Sequence, residues 1–242
     1  MNKNNTKPEV FAGYRTLPQE EFADLASRIL YEDNHLLVLN KRSGEIVQGD
    51  KTGDEPLSDT LKAFVAQRDN KPGRVFMGVP HRLDRPVTGI AVFAKTSKAL
   101  ERLNEAFRVG TVQKTYWALV EKAPEPEAAL LTHYLVRNEK QNKSYAYTRP
   151  KASAKEAKLR YTLLRATQRY FLVEVELLTG RHHQIRCQLS TIGCPIKGDL
   201  KYGARRSNPD GSISLHARSI ELDHPTRQER LTIVAPTPLE SM

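Results

Sequence analysis

Apolar segments in this chain follow one another too closely for parallel crossovers, and that spacing is what most constrains its fold. In "RILYEDNHLLVLNK" (28–41) two short runs are separated only by a turn at Asp33-Asn34. Antiparallel strands can be joined by such a turn, whereas a parallel pair needs a crossover of a dozen or more residues. "RVFMGVP" (74–80) and "GIAVFAK" (89–95) read as two buried strands flanking a turn at Asp84. "TVQKTYWALVEK" (111–122) is a strand by its β-branched and aromatic content, and "YFLVEVELLTG" (170–180) by its alternation. Three helices interrupt the series. "LSDTLKAFVAQR" (57–68) has Ser58 as N-cap, and "SKALERLNEAFRVG" (97–110) starts at Ser97 and stops at Gly110. In the latter Leu100, Leu103 and Phe107 share a face. "RHHQIRCQLSTIG" (181–193) carries an apolar stripe of Ile185, Leu189 and Ile192. The expectation is an α+β fold: a mixed, mainly antiparallel sheet with flanking helices.

Residues 1–26 read as a loosely attached extension, and "KAPEPEAAL" (122–130), with its two prolines, as a connecting loop. No repeat, no low-complexity stretch and no linker divides the remainder. MNKNNTK lacks the apolar core of a signal peptide, and no window has the length of a membrane span. Cys187 and Cys194 suggest neither a disulfide framework nor a zinc site, so a reduced, cytoplasmic setting is the default expectation. A formal charge of +10 and a pI near 9.6 favour polyanionic partners through phosphate neutralisation. The stretch 137–158 concentrates Lys and Arg with Tyr145 and Tyr147 between them, which suits either extra grip on a polyanion or a solvated loop.

Three constellations carry candidate chemistry. In "VPHRLDRPVTGIAVF" (79–93) Asp84 lies between Arg82 and Arg85, with His81 upstream. Adjacent arginines favour an ionised carboxylate, fit for nucleophilic or electrostatic work or simply for tying down its own turn. In "TGRHHQIR" (179–186), Arg181 and Arg186 border the apolar stripe of the third helix. Arg186 is then partly buried and requires an anionic partner, an acid from another segment or a phosphate. His182 and His183, neighbours on a helix, diverge by about 100° and make a poor pair for one metal ion. In "KTYWALV" (114–120), Tyr116 and Trp117 face opposite sides of a strand, one toward the core and one available to stack on a base. Walker, G-x-G-x-x-G and G-x-S-x-G patterns are absent, which points to chemistry without a cofactor.

Taken together these segments resemble the RluA-type pseudouridine synthases. "HRLDRPVTGIAVFAKT" is similar to the family's H-R-L-D-x-x-T-S-G signature. "TGRHHQIRCQLSTIGCPIKGDLKYG" is similar to its T-G-R-T-H-Q-I-R…G-x-P-I-x-G-D-x-x-Y-G block. "KTYWALV" and "LHARSIELDHP" match two further blocks, in family order, and the likeness spans roughly residues 28–234. The resemblance implies a pseudouridine synthase fold with a central catalytic cleft. It also implies isomerisation of uridine to pseudouridine in ribosomal or transfer RNA, without a cofactor or metal. It makes Asp84 the essential aspartate, Tyr116 the base-contacting tyrosine that assists loss of the C5 proton, and Arg186 the ion-pair partner of Asp84. Arg82 matches the position that displaces the target base, and Arg85, His81, Arg181 and His182 become candidate RNA contacts. Attack on ribose, addition to uracil and a glycal route all remain open for Asp84.

Two positions depart from the family pattern. His182 stands where threonine is usual, and Val87-Thr88 where Thr-Ser is commoner. No S4-type domain precedes the first strand. The expected organisation is an extension at 1–26, a catalytic domain at 27–236 and a tail at 237–242, acting as a monomer on RNA, with neither membrane nor DNA as partner. The competing readings are an idle RNA-binding or chaperone module on the same fold, and a metal-dependent hydrolase using His81, Asp84 and the histidine pair.

Overall fold

The computed structural model describes residues 13–241. Its helices are α1 (Gln19–Ser27), α2 (Leu57–Arg68), α3 (Ser97–Val109) and α4 (Gln184–Thr191). The strands are β1 (Ile29–Glu32), β2 (Leu36–Lys41), β3 (Thr88–Ala94), β4 (Gln113–Val120), β5 (Ala128–Asn138), β6 (Lys143–Tyr147), β7 (Lys155–Ala166), β8 (Phe171–Leu177), β9 (Leu215–Asp223) and β10 (Arg230–Val234). They form one sheet in the order β1-β2-β3-β9-β4-β8-β7-β5-β6, with β10 on β9. Every pairing is antiparallel except β3–β9. The α+β architecture with a mixed, mainly antiparallel sheet is therefore the one expected.

The continuous run Leu36-Leu37-Val38-Leu39 is fully buried, as a central strand covered on both faces requires. The parallel pair is short, Thr88 opposite His216 and Gly89 opposite Ala217, and the reach from β3 to β9 supplies its long crossover. Gly89 has φ 106°, and a Cβ there would lie 2.3 Å from the Ala217 carbonyl oxygen, so two backbones touch where only glycine fits. Ala217 pairs in turn with Tyr116 on β4. One row of the sheet thus runs from the first residues of β3, just after the Asp84 turn, to Tyr116.

Local expectations are corrected in several places. "RVFMGVP" is not a strand; it makes a single antiparallel bridge from Gly78 to Ala94, beyond the two residues of β3 that β9 covers, and the Val92 N–H on that stretch goes to the His81 ring. Ser58 does not cap α2, whose N-cap is Pro56, and Thr96, not Ser97, caps α3 by accepting the Ala99 N–H. Gly110 does end α3, with φ 80°. The stretch 137–158 is not one loop, since β6 and the ends of β5 and β7 fall within it. Residues 13–26 are packed rather than loose: Leu17 and Leu25 are 2% and 1% exposed, and Phe22 meets Phe64 at 4.6 Å. Residues 1–12 of that extension lie outside the described residues. At the other end Leu239 packs on Leu119 and Leu172. Among the described residues no helix is long and apolar enough to cross a membrane.

Candidate active site

The Asp84 turn is built around a buried lysine. Lys41, 1% exposed at the end of β2, donates from Nζ to four carbonyls: Val87 at 2.7 Å, Arg42 at 2.9 Å, Arg85 at 3.1 Å and Asp84 at 3.3 Å. Carbonyl dipoles take the place of water around the ammonium, and the turn closes with the Val87 N–H on the Asp84 carbonyl at 3.1 Å. Burial pulls the Lys41 ammonium down to about 8, while Glu45 and Asp84 oppose that shift.

The side chain of Asp84 is 30% exposed. Its Oδ2 accepts from Arg186 Nη1 at 3.0 Å, and His183 Nε2 lies 3.5 Å away. No hydrogen bond engages Oδ1 among the described residues, so one oxygen is held and the other is left without a protein donor. Arg186 is 6% exposed, and the anionic partner its burial demands is double. Asp199 takes Nε and Nη2 at 2.7 and 2.9 Å, a bidentate grip that leaves Nη1 for Asp84. The guanidinium also lies 5.1 Å over the Tyr202 ring. Burial lowers and the two carboxylates raise its affinity for the proton; the net direction is up, and Arg186 is a fixed cation.

Tyr116 is 8% exposed; burial first and the Asp84 charge second push its phenol above the ordinary range. Trp117 points to the other face, donating to Glu174 Oε2 at 3.0 Å beneath the Arg218 guanidinium. The alternation expected for this strand pair therefore holds.

The third helix starts later than its pattern suggests. It begins at Gln184, because His183 adopts a left-handed conformation (φ 52°) and breaks the run. His182 and His183 consequently do not diverge; their rings stack at 3.8 Å. His182 Nδ1 contacts Ser144 Oγ at 2.9 Å and Nε2 contacts Asn142 Oδ1 at 3.1 Å, tethering the site to the β5–β6 hairpin. Arg181, off the helix and exposed, donates from Nε to the Glu156 carbonyl at 2.9 Å. No three His, Cys, Asp or Glu side chains converge to hold a metal ion among the described residues.

Two expected neighbours of Asp84 are engaged elsewhere. Arg85 turns to the loop before α2, donating to Asp54 at 2.6 Å and Thr52 at 2.8 Å. His81 turns inward, accepting the Val92 N–H at 2.9 Å and stacking on Phe107 at 4.8 Å. Arg82 alone of the three is exposed with no ion pair among the described residues. Sequence reasoning missed Lys41, His183, Asp199 and Tyr202. The last two sit inside the GDLKYG block; a guanidinium has donors enough for a second carboxylate beside Asp84, and that was the signal for Asp199.

Burial keeps several rings neutral: His81 and His183 are pushed down to about 3 and His216 to about 4, mainly by desolvation. Unfolded, each protonates near 6.5; folded, each does so only far below. Between those values the unfolded chain binds more protons, so stability is full above 6.5 and falls on acidification. The loss is up to about 1.4 kcal/mol per pH unit for each ring. Urea midpoints are expected to be flat near pH 7, before Lys41 begins to lose its proton at about 8, and to drop steeply from pH 6 to 4; a midpoint rising over that acid range contradicts this.

A carboxylate on a turn is thus held by a buried arginine of α4, near a buried tyrosine of the sheet and an exposed arginine two residues upstream. The chain belongs to the RNA pseudouridylate synthase family, whose model matches residues 35–191. It is 34% identical over 220 residues to the ribosomal large subunit pseudouridine synthase C of Vibrio cholerae, covering 88% of this chain and 67% of that protein. An uncharacterized RNA pseudouridine synthase of Bacillus subtilis is 32% identical, covering 92% of this chain and 75% of that protein. Among solved structures, human RNA pseudouridylate synthase domain containing 4 superposes with a TM-score of 0.75 at 28% identity, over 90% of this chain and 91% of that one.

Proposed function

We propose that this chain converts uridine to pseudouridine in structured ribosomal or transfer RNA, with Asp84 as the reacting carboxylate. The observation that carries the reading is the asymmetry of Asp84: Oδ2 is clamped by Arg186, while Oδ1 has no hydrogen bond among the described residues and the side chain is 30% exposed. A clamped oxygen fixes the group, and an open one can reach a ribose carbon, a ribose proton or the uracil ring. Hydrolysis of a glycoside needs a second carboxylate to activate water or protonate a leaving group. Here the base stays bound and rejoins the same sugar through C5, so one carboxylate is enough.

Tyr116 is the base-side partner: held un-ionised, it offers a ring to stack on and an O–H near the reacting centre. Arg82 is the candidate to fill the space of the extruded nucleotide, a task suited to an exposed cation with no ion pair among the described residues. The exposed Arg181, Lys201 and Tyr145 near the β5–β6 hairpin extend the cationic face with an aromatic group. Arg85 ties the turn to the loop before α2, and His81 ties it to β3 and α3. The name of the Vibrio relative favours ribosomal RNA as the first substrate to try.

The test is tritium release from transcripts labelled at C5 of uridine, because forming the new carbon–carbon bond expels that hydrogen. Release from large-subunit ribosomal RNA fragments but not from transfer RNA selects the first class, and the converse selects the second. Salt-sensitive binding with no release from either points to the idle RNA-binding module.

A further inference from the structure

His183 is nearly buried, at 8% exposure, has no part in the reading above, and its Nε2 lies 3.5 Å from Oδ2 of the reacting carboxylate. Its left-handed backbone turns the ring off the helix surface and into the site. The hydrogen bonds around it fix which nitrogen carries the proton. Tyr202 Oη accepts the Ser144 backbone N–H at 2.8 Å and lies 3.0 Å from His183 Nδ1. With an incoming N–H on the oxygen and no other acceptor for its proton among the described residues, the phenolic proton goes to Nδ1. The imidazole proton is therefore on Nε2, 3.5 Å from Asp84 Oδ2. The opposite tautomer would set a lone pair against the carboxylate. The ring plane is fixed as well, stacked on His182 at 3.8 Å and met edge-on by Tyr202 at 5.6 Å.

We infer that His183 is a positioning residue for Asp84: locked as the Nε2–H tautomer by Tyr202, it presents a neutral N–H to Oδ2 beside Arg186 Nη1. The inference rests on the reading of Asp84 as the reacting carboxylate. The N–H dipole, 3.5 Å from Oδ2, adds to the Arg186 hydrogen bond in favouring the observed orientation of the carboxylate. Neutrality matters, because an imidazolium here would be able to hand its proton to Asp84. The positive neighbours Arg186 and Lys201, together with burial, keep the ring uncharged. His182, where the family resemblance expects threonine, supplies the second ring of the stack and ties it to Ser144 and Asn142.

The experiment has a kinetic and a spectroscopic arm, both on the full chain. His183→Asn keeps a residue that tolerates the left-handed backbone but has no donor at the reach of Nε2, while His183→Gln restores an amide N–H there. Single-turnover tritium release is expected to fall about tenfold to a hundredfold in His183→Asn with KM within about twofold, and to recover largely in His183→Gln. Ring ¹⁵N spectra of the wild-type protein are expected to show Nε2 protonated and Nδ1 bare. An unchanged rate in His183→Asn, equal loss in both variants, or an Nδ1–H tautomer overturns the inference while Asp84→Asn stays inactive. Full turnover by Asp84→Asn instead removes the reading beneath it.

Discussion

Asp84→Asn is expected to abolish turnover and leave the fold and RNA affinity in place. The amide matches the carboxylate in shape but carries no charge, so it can neither attack, add to a ring nor take a proton. Loss of a nucleophile or base that acts within a larger catalytic unit is on the order of 10³ to 10⁶ in rate. Stability is protected by the arrangement of Arg186. Asp199 keeps its bidentate hold on Nε and Nη2 after Asp84 is neutralised, so no buried charge is orphaned. The measurement is single-turnover tritium release beside filter binding and a thermal melt. Turnover within tenfold of wild type would exclude Asp84 from the chemistry; a collapsed melt would mean that it holds the structure instead.

Gly89→Ala is expected to have the largest effect on stability. The new methyl would meet three backbone atoms of Ala217 at 2.3, 2.6 and 2.8 Å, none of which can move as a flexible side chain does. The φ of 106° adds strain of its own, about 1–3 kcal/mol for a residue with a side chain. Separating β3 from β9 also breaks the sole parallel junction among the described strands and the row from the Asp84 turn to Tyr116. A total loss of about 4 kcal/mol or more is a large share of the roughly 5–15 kcal/mol that holds a typical domain. Urea unfolding should show a much lower midpoint, with activity falling in step. A midpoint near wild type would mean that the ladder yields at little cost.

Much of the architecture was legible because close apolar spacing excludes crossovers and period-two alternation marks a half-buried strand. Tyr116 and Trp117 divide between faces as a strand requires, and α2 spans the segment its pattern marked. What could not be read depends on distant partners. Adjacency in sequence set Arg82 and Arg85 beside Asp84, and only the family resemblance, not local pattern, pointed to the arginine that holds it, Arg186, 102 residues away. Helical periodicity carried α4 back to Arg181, but one left-handed residue at His183 ended it early and turned two diverging rings into a stack. Lys41 looked like an ordinary strand-end lysine, since nothing local announces four carbonyls drawn from its own loop and the Asp84 turn.

That lysine has a consequence for how activity is gained and lost. The turn bearing Asp84 has no strand partner of its own, and its geometry is set by a side chain more than forty residues earlier in the chain. Competence for chemistry thus arises only when distant segments have docked, and no local fragment can rehearse it. Substitutions that weaken the domain anywhere are expected to reduce the number of working molecules, leaving the speed of each survivor unchanged. In this protein, the titre of active sites is a gauge of folding itself.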